Sequence, residues 1–406
     1  MARTVLISGI GIAGPTLAFW LLKQGLEPVL VERAPGLRTG GYILDFWGIG
    51  FDVAERMGLL PRLRQVGYHN DRVAFVRADG HVRSAFGGTA LHRALGERYL
   101  SIQRGDLARE IFRTIETGVE TIFGDSIATM CELPDGVQVG FESGRSRRFD
   151  MVVGADGLHS AVRRTLSGEP AHSSRYLGYC AAAFVTRGYP RRDEHVYLSY
   201  AAPGRQISRF ALRDDGTGFL LVFAWPDETN SMPRDVPSQM QLLVEQFGQS
   251  RWREWPEILQ HLRSADNLYF DAVSQVRLPA WSKGRVVLLG DAAYCPSLLS
   301  GEGSAFAMAG AYILAGELQR ASGDYGEAFP AYEQRFRPFI ERKQRAARAF
   351  VSSFAPKTSA GLAARDFVLK LGGISAIADL LMRHFVADRY ELPDYAETDA
   401  RALTPQ

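Results

Sequence analysis

The sequence predicts an α/β fold in which a doubly wound nucleotide-binding domain is interleaved with an antiparallel β-sheet domain and followed by C-terminal helices. Three observations lead to this prediction. A glycine motif follows an apolar strand near the N-terminus, similar strands that end in Gly-Ala-Asp-Gly and Gly-Asp recur far along the chain, and strands of alternating hydrophobicity lie between them. At 406 residues the chain is long for a single core, so two interleaved domains are expected.

The first βαβ unit begins at the N-terminus. Residues 5–7 predict a buried strand, Gly9-Ile10-Gly11-Ile12-Ala13-Gly14 follows, and residues 13–23 predict a helix that ends before Gly25. Residues 28–31 predict a second strand that closes at Glu32. In this context the glycines permit a tight turn, approach of the backbone to a pyrophosphate, and close packing of helix on strand. The phosphates then lie at the positive end of the helix dipole, and Glu32 can accept hydrogen bonds from a ribose.

The α/β alternation continues to residue 157. The predicted elements are a short helix over 51–57, a strand over 99–102, a helix over 106–115, and strands over 127–132, 137–142 and 148–153. The last strand runs into Gly154-Ala155-Asp156-Gly157. Asp156 either contacts a bound dinucleotide or caps a helix that begins near Leu158.

The character of the chain changes between residues 171 and 280. Strands are predicted over 180–187, 196–200, 208–213 and 218–225. By period-two spacing, one face of the last strand carries Phe219, Leu221, Phe223 and Trp225. Either this aromatic face covers a cofactor and a planar substrate, or its residues are ordinary core. Arg209 and Arg213 either meet an anionic substrate or face solvent.

A strand of the first type returns over residues 285–289 and ends at Gly290-Asp291. Asp291 either accepts a hydrogen bond from a ribitol or ribose hydroxyl or caps the following segment. The run Ser300-Gly301-Glu302-Gly303-Ser304 then opens a helix that extends to about residue 320. The free N–H groups at that helix start would favour negative charge on a nearby flavin ring. The distant motifs together therefore indicate one FAD surrounded by three stretches of chain.

Composition narrows the function class. The net charge is +2, from 47 basic and 45 acidic side chains, so the sequence lacks the excess of positive charge that is typical of nucleic-acid-binding proteins. Cys131, Cys180 and Cys295 are too few and too widely spaced for a disulfide framework, and we predict no metal site. The N-terminus lacks the features of a secretory signal, so a cytoplasmic protein is expected, without stable membrane insertion.

The three motifs, in this order and over the whole chain, resemble the single-component FAD-dependent aromatic hydroxylases, the class A flavoprotein monooxygenases. A more specific likeness, to bacterial tetracycline-inactivating monooxygenases, lies in Arg38-Thr39-Gly40-Gly41-Tyr42-Ile43-Leu44-Asp45. The resemblance implies that Asp45 lies beside the flavin and that Arg38 and Asp156 contact NADPH or NADH. The residues expected to bind FAD are Gly9, Gly11, Ala13, Gly14, Glu32, Arg33, Gly41, Asp45, Arg104, Asp156, Gly290, Asp291, Gly301 and Gly303.

The same resemblance implies the domain division and the reaction. A Rossmann-like FAD-binding domain (GR2 type) would comprise residues 1–70, 98–170 and 281–340. A substrate-binding sheet domain would comprise residues 71–97 and 171–280, followed by a helical region over 341–406. The reaction implied is hydroxylation of an aromatic or polyketide-like molecule by O2 through a flavin C4a-hydroperoxide, in a monomer or homodimer.

Two alternatives stay open from the sequence, and no catalytic base is identified. The first is an FAD-dependent reductase of the same fold without oxygen insertion. The second is a non-catalytic or membrane-associated nucleotide-binding protein. The chain also departs from the family near the reacting edge of the flavin. It has Tyr294 where a histidine is usual, Pro296 early, Ala305 in place of an asparagine, and Gly310 in place of an aspartate.

Overall fold

The computed structural model describes residues 3–37, 41–68, 72–87, 98–167, 174–191, 193–226, 232–371 and 390–395. Its strands, numbered in chain order, are β1 Thr4–Ser8, β2 Glu27–Glu32, β3 Ile43–Trp47, β4 Arg72–Val76, β5 Val82–Gly87, β6 Tyr99–Gln103, β7 Glu120–Phe123, β8 Ile127–Leu133, β9 Gly136–Phe141, β10 Ser146–Phe149, β11 Met151–Gly154, β12 Ser174–Arg187, β13 Val196–Ala202, β14 Arg205–Ala211, β15 Gly216–Ala224, β16 Tyr269–Val276, β17 Ser282–Lys283 and β18 Val286–Leu288.

The described helices are α1 Ala13–Lys23, α2 Ile49–Arg56, α3 Leu60–Val66, α4 Arg104–Arg113, α5 Ala161–Ser167, α6 Val236–Phe247, α7 Trp255–Arg263, α8 Asp291–Tyr294, α9 Gly303–Arg320, α10 Tyr325–Phe354 and α11 Ser359–Leu371. A 3-10 turn covers Leu298–Ser300. The helical region predicted over 341–406 therefore begins inside a longer helix, α10, which starts at Tyr325 and accommodates Pro330 and Pro338 in its interior.

A six-stranded sheet forms the first layer, in the order β17-β18-β11-β1-β2-β7. Its pairs are parallel except for β17, which runs antiparallel to β18. The central strand β1 buries consecutive residues on both faces, as parallel strands do when they are covered on both sides. The carboxyl ends of β18, β11 and β1 are neighbours, so the loops that follow them meet at one edge. In open parallel sheets, ligands bind at that edge.

The strand predicted over 148–153 is wrong as a single element. It is two strands, because Asp150 turns the chain between β10, which belongs to a three-stranded antiparallel sheet, and β11 of the parallel sheet. The Asp150 carboxylate accepts hydrogen bonds from the Thr4 backbone N–H at 2.7 Å and from the Thr4 hydroxyl at 3.0 Å. This contact fixes the break beside β1.

A seven-stranded sheet, in the order β16-β12-β15-β14-β13-β4-β5, forms the second layer. All its pairs are antiparallel except β4 with β13. Strands β4 and β5 come from residues 72–87 and join strands that lie more than a hundred residues later. This membership supports the predicted domain division, which remains a proposal.

The face of β15 that bears Phe219 and Phe223 is core. Phe219 stacks on Phe184 at 4.8 Å between ring centroids, and Phe223 meets Phe247 of α6 edge-on at 6.0 Å. Helices α6 and α7 therefore cover this face, and the idea that it lies over the flavin is wrong. Arg209 of β14 lies on the same face as Phe219 and is 1% exposed. Its guanidinium pairs with Glu254 at 2.7 Å, so it neither faces solvent nor is available to bind a substrate.

The opposite face of the seven-stranded sheet is turned toward the first layer. Alternation along β13, β14 and β16 places Tyr197, Phe210 and Tyr269 on this inner face. Tyr197 stacks on Phe210 at 5.5 Å between ring centroids, and Tyr269 meets Tyr42, which directly precedes β3, at 5.9 Å. The inner face thus carries aromatic rings other than those the sequence had suggested.

Candidate active site

The glycine loop after β1 is held against the turn after β11. Gly9 has a φ of 108°, and a Cβ built on it would lie 2.5 Å from the Ala155 carbonyl oxygen. A Cβ on Gly14 would lie 2.1 Å from the Gly9 carbonyl oxygen. No larger residue fits at either position, so the first and third glycines are required by packing alone. The loop leaves the N-terminus of α1, with Ala13 as its first residue, open to a phosphate.

Arg104 connects this loop to the segment after residue 40. It is the first residue of α4, and its backbone N–H donates to the Tyr42 carbonyl oxygen at 3.1 Å. Its guanidinium would be 3.5 Å from a Cβ on Gly11, and its own Cβ 3.7 Å from one on Gly41. The structure therefore brings together three predicted site residues from separate motifs. Arg38, also predicted, lies outside the described residues.

Glu32 forms hydrogen bonds with the backbone of the glycine loop and of the segment that follows β2. Its carboxylate accepts hydrogen bonds from the backbone N–H groups of Ile10 at 2.9 Å and Ala34 at 3.0 Å. Contact with a ribose stays a prediction. The neighbouring Arg33 is exposed and lies 3.7 Å from Glu142, so its part in cofactor binding also stays a prediction.

Asp156 caps α5. Its carboxylate accepts hydrogen bonds from the Ser160 hydroxyl and from the backbone N–H groups of Ala161 at 2.7 Å and Val162 at 3.2 Å. Of the two interpretations offered by the sequence, the structure therefore shows the one in which Asp156 caps a helix. The Asp156 backbone still packs directly against Gly9, and a role toward FAD or NAD(P)H stays a prediction.

Asp291 does not cap the segment that follows it. The N-cap position of α8 is Gly290, with a φ of 65°, and Asp291 is the first helical residue. Burial raises the pKa of this carboxyl, and the nearby Arg104 opposes that rise. A Cβ on Gly303 would lie 3.5 Å from the carboxylate, so the start of α9 stands beside it, after a left-handed Gly301 with a φ of 70°. The carboxylate, Arg104 and a helix N-terminus thus share one site.

Asp45 belongs to a hydrogen-bonded group that the sequence did not reveal. Its carboxylate accepts from the Tyr99 and Ser101 hydroxyls, both at 2.7 Å. Burial, and then the charge of Asp45, raise the pKa of Tyr99. Asp45 itself remains exposed, and its charge acts on Tyr197 of the inner face, whose pKa is raised to about 12, first by burial and then by Asp45. The signal was the alternation of polar Tyr99 and Ser101 with buried Leu100 and Ile102 along β6.

A second contact joins the two layers. His159, in the turn after β11, lies with its Nε2 2.9 Å and 3.1 Å from the two carboxylate oxygens of Asp271 on β16. This hydrogen bond raises the pKa of His159. Nothing in the sequence pairs these residues, which are 112 positions apart.

The loop after α8 is fixed by a buried glutamine of α10. The Gln344 side-chain amide donates to the carbonyl oxygens of Val276 at 2.8 Å and of Tyr294 and Cys295 at 3.2 Å. Gln275 donates in turn to the Pro296 carbonyl oxygen at 2.7 Å. The displaced proline is therefore held in place by two residues that no motif indicated.

Two of the departures from the family pattern compensate each other. Tyr294 is 1% exposed and packs on Trp281 at 4.6 Å between ring centroids. A Cβ on Gly310 would lie 1.9 Å from the Tyr294 hydroxyl oxygen, so the large residue occupies the space that the small one leaves. The exchange is therefore made within the core.

These observations fit FAD: glycines that admit no side chain at the sheet's ligand edge, a half-buried carboxylate beside an arginine, and a helix N-terminus next to both. Fold and site together define a flavin-dependent oxidoreductase. A family model described as FAD binding domain matches residues 2–346, and the chain belongs to that family. The resemblance stated from the sequence is thereby confirmed.

Similar proteins narrow the class. A flavin-dependent monooxygenase of Legionella longbeachae is 35% identical over 354 residues, which cover 84% of this chain and 87% of that protein. The crystal structure of tetracycline destructase Tet(55) superimposes with a TM-score of 0.81 at 32% identity and covers 97% and 99% of the two chains. Klebsiella pneumoniae HpxO complexed with FAD and uric acid shares the fold, at 21% identity and a TM-score of 0.74, over 94% of this chain and 97% of that one. The protein is an FAD-dependent monooxygenase.

Proposed function

We propose that this monooxygenase hydroxylates an aromatic or polyketide-like small molecule held between the two layers, with NADPH or NADH as reductant and O2 as the oxygen donor. The observation that carries the proposal is the Asp45 carboxylate. It is fixed by Tyr99 and Ser101, yet it stays exposed toward the inner face of the seven-stranded sheet. Reduced FAD supplies the oxygen-activating chemistry, and the protein supplies position and shelter from water.

The residues that would hold FAD divide by the part they meet. The loop Gly9 to Gly14 would receive the pyrophosphate at the start of α1. Asp291, half-buried and beside Arg104, would accept hydrogen bonds from ribitol hydroxyls. The N-terminus of α9, after Gly301 and Gly303, would favour negative charge on the pyrimidine side of the flavin.

Asp45 would orient the substrate. An ionised carboxylate has about four lone-pair sites, and Tyr99 and Ser101 occupy two of them, so the rest can accept from a substrate hydroxyl. A phenol or enol held in this way is electron-rich at its ring carbons. The stacked rings of Tyr197 and Phe210, with Tyr42 and Tyr269, offer apolar walls to a planar molecule.

The three cysteines are free thiols, which supports the cytoplasmic location proposed from the sequence. No helix in the described parts of the chain is long and apolar enough to cross a membrane.

The test is a substrate panel with purified, FAD-loaded protein. NADPH and NADH oxidation, oxygen uptake and product mass are measured with phenols, quinolones, tetracyclines and other polycyclic polyketides. We expect one class to stimulate NAD(P)H oxidation and to gain one oxygen atom. Stimulated oxidation that yields only peroxide with every compound would contradict the proposal.

A pair of variants tests the assigned residue. Asp45→Asn should retain FAD and lose coupling of NAD(P)H oxidation to product. Asp135→Asn, which changes an exposed aspartate paired with Arg148 on the β8–β9 hairpin, is the matched control and should behave as wild type. Equal coupling in the two variants would remove Asp45 from the mechanism.

A further inference from the structure

A cavity of about 420 Å³ opens at the end of the seven-stranded sheet that is remote from Asp45. It is lined by the turn between β13 and β14, the end of α6 and the start of α11. Tyr197, which faces Asp45, and Ala202, which lines the cavity, are five residues apart on β13. At about 3.3 Å per residue, the cavity lies about 17 Å along the strand from the proposed substrate space.

The lining of this cavity is strongly basic. Arg83, Arg205 and Arg251 contribute to it, and no Asp or Glu is among the described residues that line it. A carboxylate beside the cavity is that of Asp366, which is almost fully buried and is paired with Arg83 at 2.7 Å. The same carboxylate lies 3.5 Å from a fourth guanidinium, so these groups comprise one negative and four positive charges.

That fourth guanidinium belongs to Arg365 and is held rigidly. It donates to the Gln206 side-chain oxygen at 3.1 Å and to the Phe354 carbonyl oxygen at 2.9 Å, and it lies 4.2 Å from the centre of the Phe75 ring. Burial lowers the pKa of Arg365, the Asp366 carboxylate opposes that change, and the charge of Arg83 adds to it. Gln206, which it fixes, is 2% exposed and forms part of the cavity wall.

Size and chemistry select the ligand. A volume of 420 Å³ falls within the range of small-molecule sites. Guanidinium groups match phosphate oxygens in a forked, charge-assisted geometry that neutral ligands cannot use. The stacked pair of Tyr200 and Trp252, 5.8 Å apart, stiffens one wall of the cavity.

We propose that this cavity binds a phosphate-bearing small anion at a site separate from the FAD and substrate sites. The phosphate has two possible sources, the 2′-phosphate of NADPH and an independent phosphorylated molecule. Both use the same arginines, so the site can be tested before its physiological ligand is known.

The first arm measures binding of inorganic pyrophosphate to the FAD-loaded enzyme by calorimetry, because FAD then occupies the glycine loop. The double variant R205Q/R251Q should bind pyrophosphate on the order of tenfold to a hundredfold more weakly, the effect of losing charge-assisted hydrogen bonds. R263Q, which removes an exposed arginine at the end of α7 outside the cavity, is the matched control. The flavin absorbance spectrum should be the same in all three proteins.

The second arm separates the sources. A rise of KM for NADPH but not for NADH in R205Q/R251Q would assign the phosphate to the reductant. Unchanged KM values for both, with pyrophosphate binding lost, would assign it to an independent anion. Absence of pyrophosphate binding to the wild-type enzyme, or equal binding by the double variant and wild type, would overturn the proposal whatever the oxygenase activity.

Discussion

The pairing of Tyr294 with Gly310 makes a quantitative prediction about stability. In Gly310→Ala the new Cβ would lie 1.9 Å from the Tyr294 hydroxyl oxygen and 3.2 Å from the ring carbon that bears it. The ring has little room to retreat, because Trp281 packs on it at 4.6 Å. Overpacking of this severity costs about 3 kcal/mol, and alanine in a helix regains about 1 kcal/mol over glycine. We expect a net loss of about 2 kcal/mol.

Removing the hydroxyl should remove most of that loss. Tyr294→Phe alone loses the hydrogen bond from the Tyr332 hydroxyl, at 3.2 Å, and should cost about 1 kcal/mol. In the double variant the nearest atoms are the ring carbon and Leu289 Cδ1, both at 3.2 Å, so a small steric cost remains that the helix propensity of alanine offsets, and Gly310→Ala becomes close to neutral. The expected coupling is about 2 to 3 kcal/mol, at the top of the range for contacting residues.

The assay is thermal unfolding of the FAD-loaded enzyme in the complete double-mutant cycle. Gly36→Ala is the control, since a Cβ there meets no atom within 4 Å and its φ is not positive. If Gly310→Ala lowered the melting temperature equally in the wild-type and Tyr294→Phe backgrounds, the compensation argument would be refuted. The two departures from the family would then be independent of each other.

Three further predictions concern the site. Asp291→Asn should weaken FAD binding by tenfold to a hundredfold, because lost charged hydrogen bonds cost on the order of 1.5 to 3 kcal/mol. The assay is titration of the apoprotein with FAD, followed by flavin fluorescence, and an unchanged dissociation constant would contradict the prediction. Because Asp271 raises the pKa of His159, their pair contributes stability that is fully present below about pH 6.5, the ordinary histidine value, and is lost as the pH rises through the raised pKa. The melting temperature of wild type should fall over that window relative to Asp271→Asn, and parallel curves would count against the pair. Gln344→Leu removes a donor from three carbonyl oxygens, of which that of Cys295 keeps the Val276 N–H at 3.1 Å. Each oxygen left without a donor costs about 1 to 3 kcal/mol, so both the melting temperature and FAD retention should fall, and wild-type values for both would exclude the positioning role of Gln344.

Much of the nucleotide-binding half follows from sequence because its signals are local. Glycine is required at position 14 by the backbone of Gly9, five residues away, and at position 9 by the backbone of Ala155, at the end of a neighbouring strand. The alternation of apolar strands and helices can be recognised from the sequence alone. The break at Asp150 was missed because its cause, a contact with Thr4, spans 146 positions. Apolar patterning alone continues through it.

The partners of the site residues were missed for the same reason. Asp45 carries a recognisable motif, but the hydroxyls that hold it come from β6, more than fifty residues later. Gln344 lies on a helix whose pattern marks it only as an interruption of an apolar stripe. The role of a buried glutamine can be inferred only when the carbonyl groups around it are known. Here those carbonyl groups belong to a strand end and to a loop near residue 295.

The orientation of the seven-stranded sheet shows how the sequence could have decided between its two faces. Alternation in β15 reveals one face rich in aromatic residues, but it does not say which layer that face meets. The next segment of chain settles the matter, because α6 and α7 follow the sheet and each carries an apolar stripe that must be buried. The aromatic face is the nearest surface able to cover them. The remaining face, with the hydrogen-bonded Ser199 and Ser208 at 2.8 Å and with Tyr197, is then left for the flavin side. Because Ser199 and Ser208 are fully buried and bonded to each other, this face presents chiefly the ring of Tyr197 stacked on Phe210, and this is why planar polycyclic molecules belong in the first substrate panel.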